Sequence, residues 1–432
     1  MKKLLRILST GITLISFLIF IYLIYRSEFY YSGSLRDYYL TYYIFSFIFI
    51  IISILIIFLP DKIKINIFII FFSLIFSFYS IELFYFFKKA EGLIFKNQTN
   101  KIEFYNNLKK NEDVTLSINP SAFLKYNYNL LPLSGISNSK TIHCNENGYF
   151  SIYKSDRHGF NNQDDLWDKK EIDYVLLGDS WTHGACVNSE YTISSFLQKH
   201  SNKYALNLGM SGNGSLLEYA TLKEYSPNGT VKRFLLIYFE NDIIDLNVEL
   251  KNNILIKYLK DSTYSQNLKF RQKEINTMLN ELSAKEQVII EEDIINNKKK
   301  SIFNSTSQFI KLYNLRKIIF FKKEITRTDD VIIPDEFKEI LIKMNNEIIS
   351  RNSKFYFIYI PYHFKFNNKN YKNVIKIVNE LNINLIDLKT EIMDKHNDIY
   401  SLYPYRKPGH FNETGYNLIA KIIYEKIQEF EK

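Results

Sequence analysis

Four short polar motifs in the second half of the sequence carry residues that could perform acyl transfer. In chain order they are Gly-Asp-Ser ending at Ser180, Ser-Gly-Asn-Gly around Gly212, Asn-Asp beginning at Asn241, and Gly-His-Phe-Asn around His410. A serine hydroxyl becomes a nucleophile when a nearby base such as imidazole removes its proton. Glycine N–H groups and an asparagine amide can hold the oxyanion that develops when an ester is attacked. These residue types therefore indicate ester cleavage or acyl transfer at Ser180.

Each motif adjoins a segment whose pattern predicts regular structure. Apolar runs that predict strands span residues 173–177, 204–208, 233–239, 355–360 and 383–387, and stretches that predict helices span 191–200, 216–225, 336–350, 371–379 and 416–430. Continuous apolar runs that alternate with helices are typical of a parallel sheet covered on both faces, and this makes a three-layer α/β domain. Because ligands bind at the carboxyl ends of parallel strands, the four motifs are predicted to meet at one edge of the sheet.

The motifs, in this order, resemble the four sequence blocks of the SGNH (GDSL-like) hydrolase superfamily. The resemblance covers about residues 173–430 and excludes an insertion at about 246–335, which is rich in Lys, Asn and Glu and has no catalytic pattern. A single block arises often by chance, whereas four in order, each at a strand end or a helix start, are specific. The resemblance implies a flavodoxin-like parallel sheet, the SGNH hydrolase fold, in a domain spanning 173–432 with the insertion mostly helical. A connecting segment at 89–172 precedes this domain and is expected to pack on it.

The resemblance also implies a role for each motif residue. Ser180 resembles the family nucleophile, and its backbone N–H resembles an oxyanion donor. Gly212 corresponds to the second donor through its N–H, and Asn241 to the third through its side-chain amide. His410 corresponds to the general base, which later protonates the leaving group.

One departure from the family pattern concerns the partner of His410. The family usually has an aspartate three residues before the histidine, where it orients the imidazole and stabilises its protonated form; here that position is Lys407. Asp398, Asp387 or a backbone carbonyl are the alternatives that the sequence offers. Glu240 also stands where the third family block favours glycine. These departures leave open a reduced activity or a binding domain without catalysis.

Other candidates near the motifs are weaker. His183 is close to Ser180 in sequence, but a ring at a helix start is expected to project away from the hydroxyl. Trp181 is expected either to shape an acyl pocket or to pack beside the first helix. The other histidines show no metal-ligand spacing, so no metal ion or other cofactor is expected; they are His143, His158, His200, His363 and His396.

Residues 1–88 form a strongly apolar N-terminal region. Its three apolar stretches lie at about 7–25, 39–59 and 66–87, and each is near the roughly 20 residues that a helix needs to cross a bilayer. None has a charge in its middle, and Glu82 lies near the end of the third, where it could reach the interface. The first stretch has a basic start but lacks a signal-peptide cleavage site after it. We therefore expect three retained transmembrane helices.

The charge pattern favours one orientation of these helices. The basic N-terminus, with Lys2, Lys3 and Arg6, favours a cytoplasmic start. Three crossings then place the remainder of the chain outside, on the periplasmic side of a bacterial inner membrane. The opposite orientation stays open because several basic residues would then lie on the outer side: Arg26, Arg36, Lys88 and Lys89.

The two cysteines of the chain, Cys144 and Cys186, provide an independent test of this orientation. Cys186 follows Ser180 by a few residues, and Cys144 lies in the connecting segment. A disulfide between them would persist in an oxidising compartment and would hold that segment against the active-site edge. The alternative is two unrelated buried thiols, which are common for cysteine.

The function expected from these features is that of a membrane-anchored serine esterase or O-acyltransferase. Its expected substrate is an acyl group, most simply acetyl, on a cell-surface polysaccharide, with a membrane acyl-donor protein as a further partner. A lipid or phospholipid esterase and a non-catalytic polysaccharide-binding partner are the alternatives. The net charge is +9, but the lysines are scattered or bunched rather than arranged on one face among stacking aromatics, so nucleic acid is not an expected partner.

Overall fold

A computed structural model describes residues 2–30, 36–93, 98–126, 128–285, 333–362 and 368–432, with separate residues between 307 and 316. His363 and most of the insertion after residue 285 lie outside this described part. The chain forms two compact units. The first comprises Met1–Lys89 with Phe303–Lys322, and the second comprises Ala90–Ile302 with Lys323–Lys432.

Three long helices dominate the first unit. They are α1 (Lys2–Ile24), which continues into a π-helical stretch at Tyr25–Tyr30, α2 (Arg36–Phe58) and α3 (Asp61–Leu93). By length and composition, three spans on them could cross a membrane: Lys2–Phe29, Tyr39–Phe58 and Asp61–Tyr85. Large apolar side chains lie exposed along all three helices, as expected where lipid replaces water. The three predicted apolar helices are thus present, and they are compatible with a membrane anchor.

Helix α3 differs from the prediction in its start and in the place of its acidic residue. It begins at Asp61 rather than near residue 66, because Pro60 is tolerated at a helix start and Asp61 is favourable in the first turn. Glu82 does not face outward: it is fully buried, and its carboxylate accepts the N–H of Leu315 at 2.8 Å. Within the first unit, part of the insertion therefore packs on α3.

The segment that precedes the main sheet has helices and strands of its own. It contains α4 (Gln98–Lys109) and a small sheet of β1 (Val114–Leu116), β2 (Lys140–Ile142) and β3 (Ile152–Lys154). Strand β2 pairs parallel with β1 and antiparallel with β3. Tyr105, Val114 and Ile142 form a small core between helix and sheet. This segment belongs to the same compact unit as the main sheet.

The main sheet has five parallel strands, which confirms the predicted fold class. They are β4 (Glu171–Gly178), β5 (Ala205–Asn207), β6 (Thr230–Phe239), β7 (Lys354–Ile360) and β8 (Asn384–Asp387), in the order β5-β4-β6-β7-β8. Numbered within the sheet, this is the 2-1-3-4-5 order of flavodoxin-like folds. The chain runs from β4 to one side and returns to the other, so a crevice opens at the carboxyl end of β4.

Helices cover both faces of this sheet. In chain order they are α5 (Ser180–His183), α6 (Ile193–Ser201), α7 (Ser215–Tyr225), α8 (Asp242–Glu249), α9 (Asn253–Lys260), α10 (residues 272–285), α11 (Asp335–Ser350), α12 (Asn368–Glu380) and α13 (Glu413–Phe430). Side chains of β4 alternate between two cores: Tyr174 and Leu176 pack with α6 and α13, whereas Val175 and Leu177 pack with α7, α9, α11 and α12. Because both faces are buried, the strand reads as a continuous apolar run.

Candidate active site

The turn from β4 into α5 holds Ser180 at the carboxyl edge of the sheet. Gly178 ends the strand with a φ of +151°, and a Cβ there would lie 2.1 Å from Thr182 Oγ1, so glycine is required. The Asp179 carboxylate accepts the N–H of Trp181 at 2.9 Å and caps the helix. Ser180 is the first helical residue and is half-buried. The Gly-Asp-Ser motif therefore encodes a tight strand-to-helix turn that presents a hydroxyl to the crevice.

His410 lies in the loop before α13, and its ring reaches this hydroxyl. The ring Nε2 lies 2.9 Å from Ser180 Oγ, which is within the reach expected of a base and its nucleophile. Trp181 is 2% exposed and packs against the His410 ring, with the two ring centroids 5.2 Å apart. Trp181 is not among the described residues that line the cleft, so the structure favours the packing role for it.

A carboxylate from the preceding segment contacts the other ring nitrogen. Glu146 Oε2 lies 3.2 Å from His410 Nδ1 and accepts the backbone N–H of His410 at 2.6 Å. Neither predicted aspartate occupies this place. Asp398 pairs with Arg406 at 2.8 Å, and Asp387 accepts the Tyr371 hydroxyl at 2.6 Å.

Sequence reasoning missed Glu146 because it lies 264 residues before its partner and outside every family block. A signal was nevertheless present, since it follows Cys144 by two positions. In the structure Cys144 and Cys186 are joined in a disulfide, with their Cα atoms 4.8 Å apart. Asn147 reinforces the link by donating its side-chain N–H to the Cys186 carbonyl at 3.0 Å. The predicted pairing would itself have brought residues near 144 to the edge that carries Ser180.

Of the two other residues predicted to bind the oxyanion, Gly212 lies beside Ser180 and Asn241 points elsewhere. Gly212 adopts a φ of +78°, and a Cβ there would lie 2.6 Å from Ser121 Oγ; it lines the same cleft as Ser180 and His410. Asn241 precedes α8, and its amide nitrogen donates to Asp245 one turn later at 2.8 Å. Asn241 is not among the described residues that line the cleft.

The cleft beside Ser180 has a volume of about 570 Å³, and both polar and apolar residues line it. One wall comes from the main sheet and carries Ser180 and Gly212, and the other comes from the segment that precedes it. That second wall includes a group of polar and basic residues: Lys101, Ser117, Asn119, Ser121, Lys125 and His143. A cleft of this size, with polar side chains along one wall, can receive a small ligand next to the nucleophile.

Two buried histidines support the wall next to Gly212. Ser211 Oγ lies 3.0 Å from His143 Nε2 and 3.1 Å from His183 Nδ1. The His143 and His183 rings lie against each other, with centroids 4.3 Å apart. Burial lowers the pKa of His183 to about 3 and that of His143 well below its usual value, so both rings stay neutral near pH 7. The His183 ring therefore faces Ser211 and holds the loop that carries Gly212.

Buried carboxyl groups lie behind the nucleophile. Burial, together with neighbouring carboxylates, raises the pKa values of Glu218 and Asp242 well above their usual range. Burial also raises the pKa of Asp179 to about 6 and that of Glu249 to about 8. These groups consequently hold protons more strongly than exposed acids, which limits the negative charge behind Ser180.

Within the described part of the chain, one group of potential metal ligands has its atoms within 4.8 Å of one another: Glu146, Cys186 and His410. The Cys186 sulfur is bonded to Cys144 and so is not available as a thiolate, which is the ligand form of cysteine. The remaining pair is better described as a carboxylate–imidazole contact.

No family model and no curated protein matches this chain. Among solved structures, it is similar to a protein from Desulfitobacterium hafniense DCB-2 described as a lipolytic protein of the G-D-S-L family. The two are 15% identical, the match covers 60% of this chain and 99% of that one, and the TM-score is 0.34. A similarity at this level does not establish a shared fold or function. The fold class is therefore assigned from the strand order, and the candidate site from its own geometry.

Proposed function

We propose that this chain is a membrane-anchored serine esterase or O-acyltransferase with Ser180 as nucleophile and His410 as base. The observation that carries the proposal is the 2.9 Å contact between Ser180 Oγ and His410 Nε2, at the switch point of a parallel sheet. That edge is where open α/β sheets bind their ligands. A half-buried hydroxyl in contact with a half-buried imidazole is the arrangement that activates serine.

The proposed reaction has two steps. His410 Nε2 takes the Ser180 proton while Oγ bonds to the acyl carbonyl carbon, and the resulting oxyanion is held by the N–H groups of Ser180 and Gly212. The Asn241 amide adds a third donor when it turns away from Asp245. The carbon–oxygen bond to the leaving alcohol then breaks, and His410 gives that oxygen its proton. Water or an acceptor hydroxyl attacks the acyl-serine by the same route, giving hydrolysis or transfer.

The polar side chains along one wall of the cleft and the apolar N-terminal helices support a substrate among envelope glycans. Lys101, Asn119, Ser121 and Lys125 line the cleft, and their side chains can form hydrogen bonds with the hydroxyls of a sugar. Helices α1 to α3 would hold the site at the membrane surface, beside cell-surface polysaccharide. An O-acetyl group is the simplest acyl group for this setting, and transfer would require an acyl donor such as a membrane partner protein.

The Cys144–Cys186 disulfide supports a place outside the cytoplasm, since such bonds persist in oxidising compartments. The basic N-terminus and three spans lead to the same side. We therefore place the catalytic unit on the periplasmic face of a bacterial inner membrane.

Replacement of the nucleophile tests the proposed function. Purified Ser180→Ala should lose essentially all turnover of an activated acetyl ester while remaining folded, since the change removes one hydroxyl from a half-buried site. Ser350→Ala, at an exposed position on α11, is the matched control and should retain full turnover. Mass spectrometry should also show changed O-acylation of envelope glycans in cells that carry Ser180→Ala.

Equal turnover by Ser180→Ala and the unmodified protein would support a non-catalytic polysaccharide-binding role instead. Turnover that depends on Ser180 but prefers long-chain phospholipid esters, with no change in glycan acylation, would support a lipid esterase.

A further inference from the structure

A carboxylate outside the four family motifs contacts the base of the proposed site. Lys407, at the position where an aspartate would be expected, is exposed, and neither Asp398 nor Asp387 contacts the ring. We infer that Glu146 is the positioning residue of His410. This inference rests on the proposed function, because it assigns the third member of the same site.

The contact geometry defines what Glu146 does to the ring. Its Oε2 accepts from the His410 backbone N–H at 2.6 Å and faces the ring Nδ1 at 3.2 Å. A carboxylate at Nδ1 keeps a proton on that nitrogen, which leaves a lone pair on Nε2, the atom facing Ser180. The same negative charge stabilises the imidazolium that forms when Ser180 loses its proton. Glu146 therefore keeps the proton of the neutral His410 ring on Nδ1 and stabilises the positive charge of the protonated ring.

The residue next to His410 is adapted to this carboxylate. Gly409 lies so close that a Cβ would be 2.5 Å from Glu146 Oε2. A larger residue at position 409 would displace the carboxylate from Nδ1. The glycine in the Gly-His-Phe-Asn motif therefore has a steric reason in this chain, namely the close approach of Glu146.

The loop that carries Glu146 is fastened on both sides of the site. Before Glu146, Cys144 is bonded to Cys186 in the turn after the nucleophile. After it, the Tyr149 hydroxyl donates to Glu413 at the start of α13 at 2.6 Å, the helix that follows His410. One end of the loop is thus tied to the serine side and the other to the histidine side. This explains how a residue so distant in sequence can be held in place.

The test compares the full-length protein in detergent with Glu146→Gln, Glu146→Asp and Ser180→Ala across a range of pH. Glu146→Gln preserves size and removes the charge, so kcat should fall by roughly 10²- to 10⁴-fold with KM nearly unchanged. The acid limb of the rate profile should move to lower pH, because the protonated imidazole loses its stabilising charge. Glu146→Asp keeps the charge and should recover at least about tenfold over Glu146→Gln.

Glu112→Gln is the matched control, since this exposed glutamate of the same segment pairs with Lys140 and should leave kcat and the pH profile unchanged. A Glu146→Gln protein with normal kcat and an unmoved acid limb would overturn the inference. If Ser180→Ala is inactive in the same assay, the proposed function survives that result. If Ser180→Ala retains turnover, the proposed function fails independently.

A second measurement does not depend on turnover. ¹⁵N spectra of histidine-labelled protein, with His410 assigned from its Ala variant, report which ring nitrogen carries the proton. We expect protonated Nδ1 in the unmodified protein and a shift toward the other tautomer in Glu146→Ala. Protonation at Nε2 in the unmodified protein would overturn the inference whether or not any ester is cleaved.

Discussion

The hydroxyl of Ser180 lies between two acceptors of different kinds. His410 Nε2 is 2.9 Å away and Asp179 Oδ2 is 3.2 Å away. Asp179 is fully buried, and this burial raises its pKa to about 6. Proton transfer to His410 requires the hydroxyl to turn toward the imidazole. Asp179 holds its own proton only below about pH 6, and there it competes less for the proton of the serine.

The first residue-scale prediction concerns Asp179→Asn. Because folding raises the pKa of Asp179 from about 3.8 to about 6, its contribution to stability is fully present below pH 3.8 and is lost as pH rises through 6. Asparagine does not titrate but can still accept the N–H of Trp181. The variant should therefore gain stability relative to the unmodified protein as pH rises from 4 to 7, by at most about 3 kcal/mol.

Thermal unfolding followed by tryptophan fluorescence measures this difference, since both tryptophans of the chain, Trp167 and Trp181, belong to the second compact unit. A difference in unfolding temperature that stays constant from pH 4 to 7 would contradict the prediction.

At the residue scale, the sequence located those parts of the site that lie next to regular elements. Ser180 and His410 were predicted because each stands at the end of a strand or the start of a helix, within a motif. Glu146 was not, because it lies in a loop without periodicity and its role comes from a contact between distant parts of the chain. The amide of Asn241 was assigned to the site, but the structure turns it toward Asp245, and a sequence motif does not specify a rotamer.

At the element scale, helix α7 depends on a carboxylate from α8. No side chain of its own N-cap, Gly214, satisfies its first N–H groups. Glu249 does so instead, with its oxygens accepting from Gly214 at 2.5 Å, Leu216 at 2.9 Å and Leu217 at 3.3 Å. The oxygens of Glu249 thus take the place of a side-chain cap at the first turn of α7. This interaction fixes α7 beside the loop that carries Gly212.

We therefore predict that Glu249→Ala destabilises the second unit by roughly 3 kcal/mol, since it leaves three N–H groups buried without an acceptor. Glu249→Gln retains one acceptor oxygen and should lose clearly less. Glu380→Ala is the control, because Glu380 forms an exposed pair with Lys338 and such pairs contribute about 0–1 kcal/mol. The unfolding temperatures of the three variants measure these differences in stability. Equal decreases in unfolding temperature for Glu249→Ala and Glu380→Ala would contradict the prediction.

The helices and strands of this protein differ in how clearly the sequence predicts them. Strands β4, β6 and β7 are buried on both faces and so read as continuous apolar runs. Strands β1 to β3 have three residues each, which is too short for any periodicity to appear. The sequence did not reveal a role for the insertion, and in the structure Leu255, Leu268 and Leu279 of this insertion pack in the core of the main domain. Their contribution depends on tertiary packing rather than on a local pattern.

At the scale of the whole molecule, the proposed catalytic site does not begin with the main sheet. Glu146 contacts the base, while Asn119 and Ser121 line the cleft, and all three precede β4. A shortened protein that started at the predicted boundary, residue 173, would keep the nucleophile and the base but lose the partner of the base and one wall of the cleft. The polar segment after the apolar helices thus belongs to the same compact unit as the proposed site.

The orientation of the chain in the membrane provides the last prediction. In intact bacteria expressing Ser350→Cys, a membrane-impermeant thiol reagent should label the new cysteine, because position 350 is exposed and three crossings from a cytoplasmic N-terminus place it outside. Asp61→Cys, at the start of α3, should be labelled only after lysis. The unmodified protein is the control and should stay unlabelled even when denatured without reductant, since its two cysteines are bonded to each other. Labelling of Asp61→Cys but not of Ser350→Cys in intact cells would show that the chain has the opposite orientation. Labelling of the denatured, unreduced control would show that Cys144 and Cys186 are not bonded to each other.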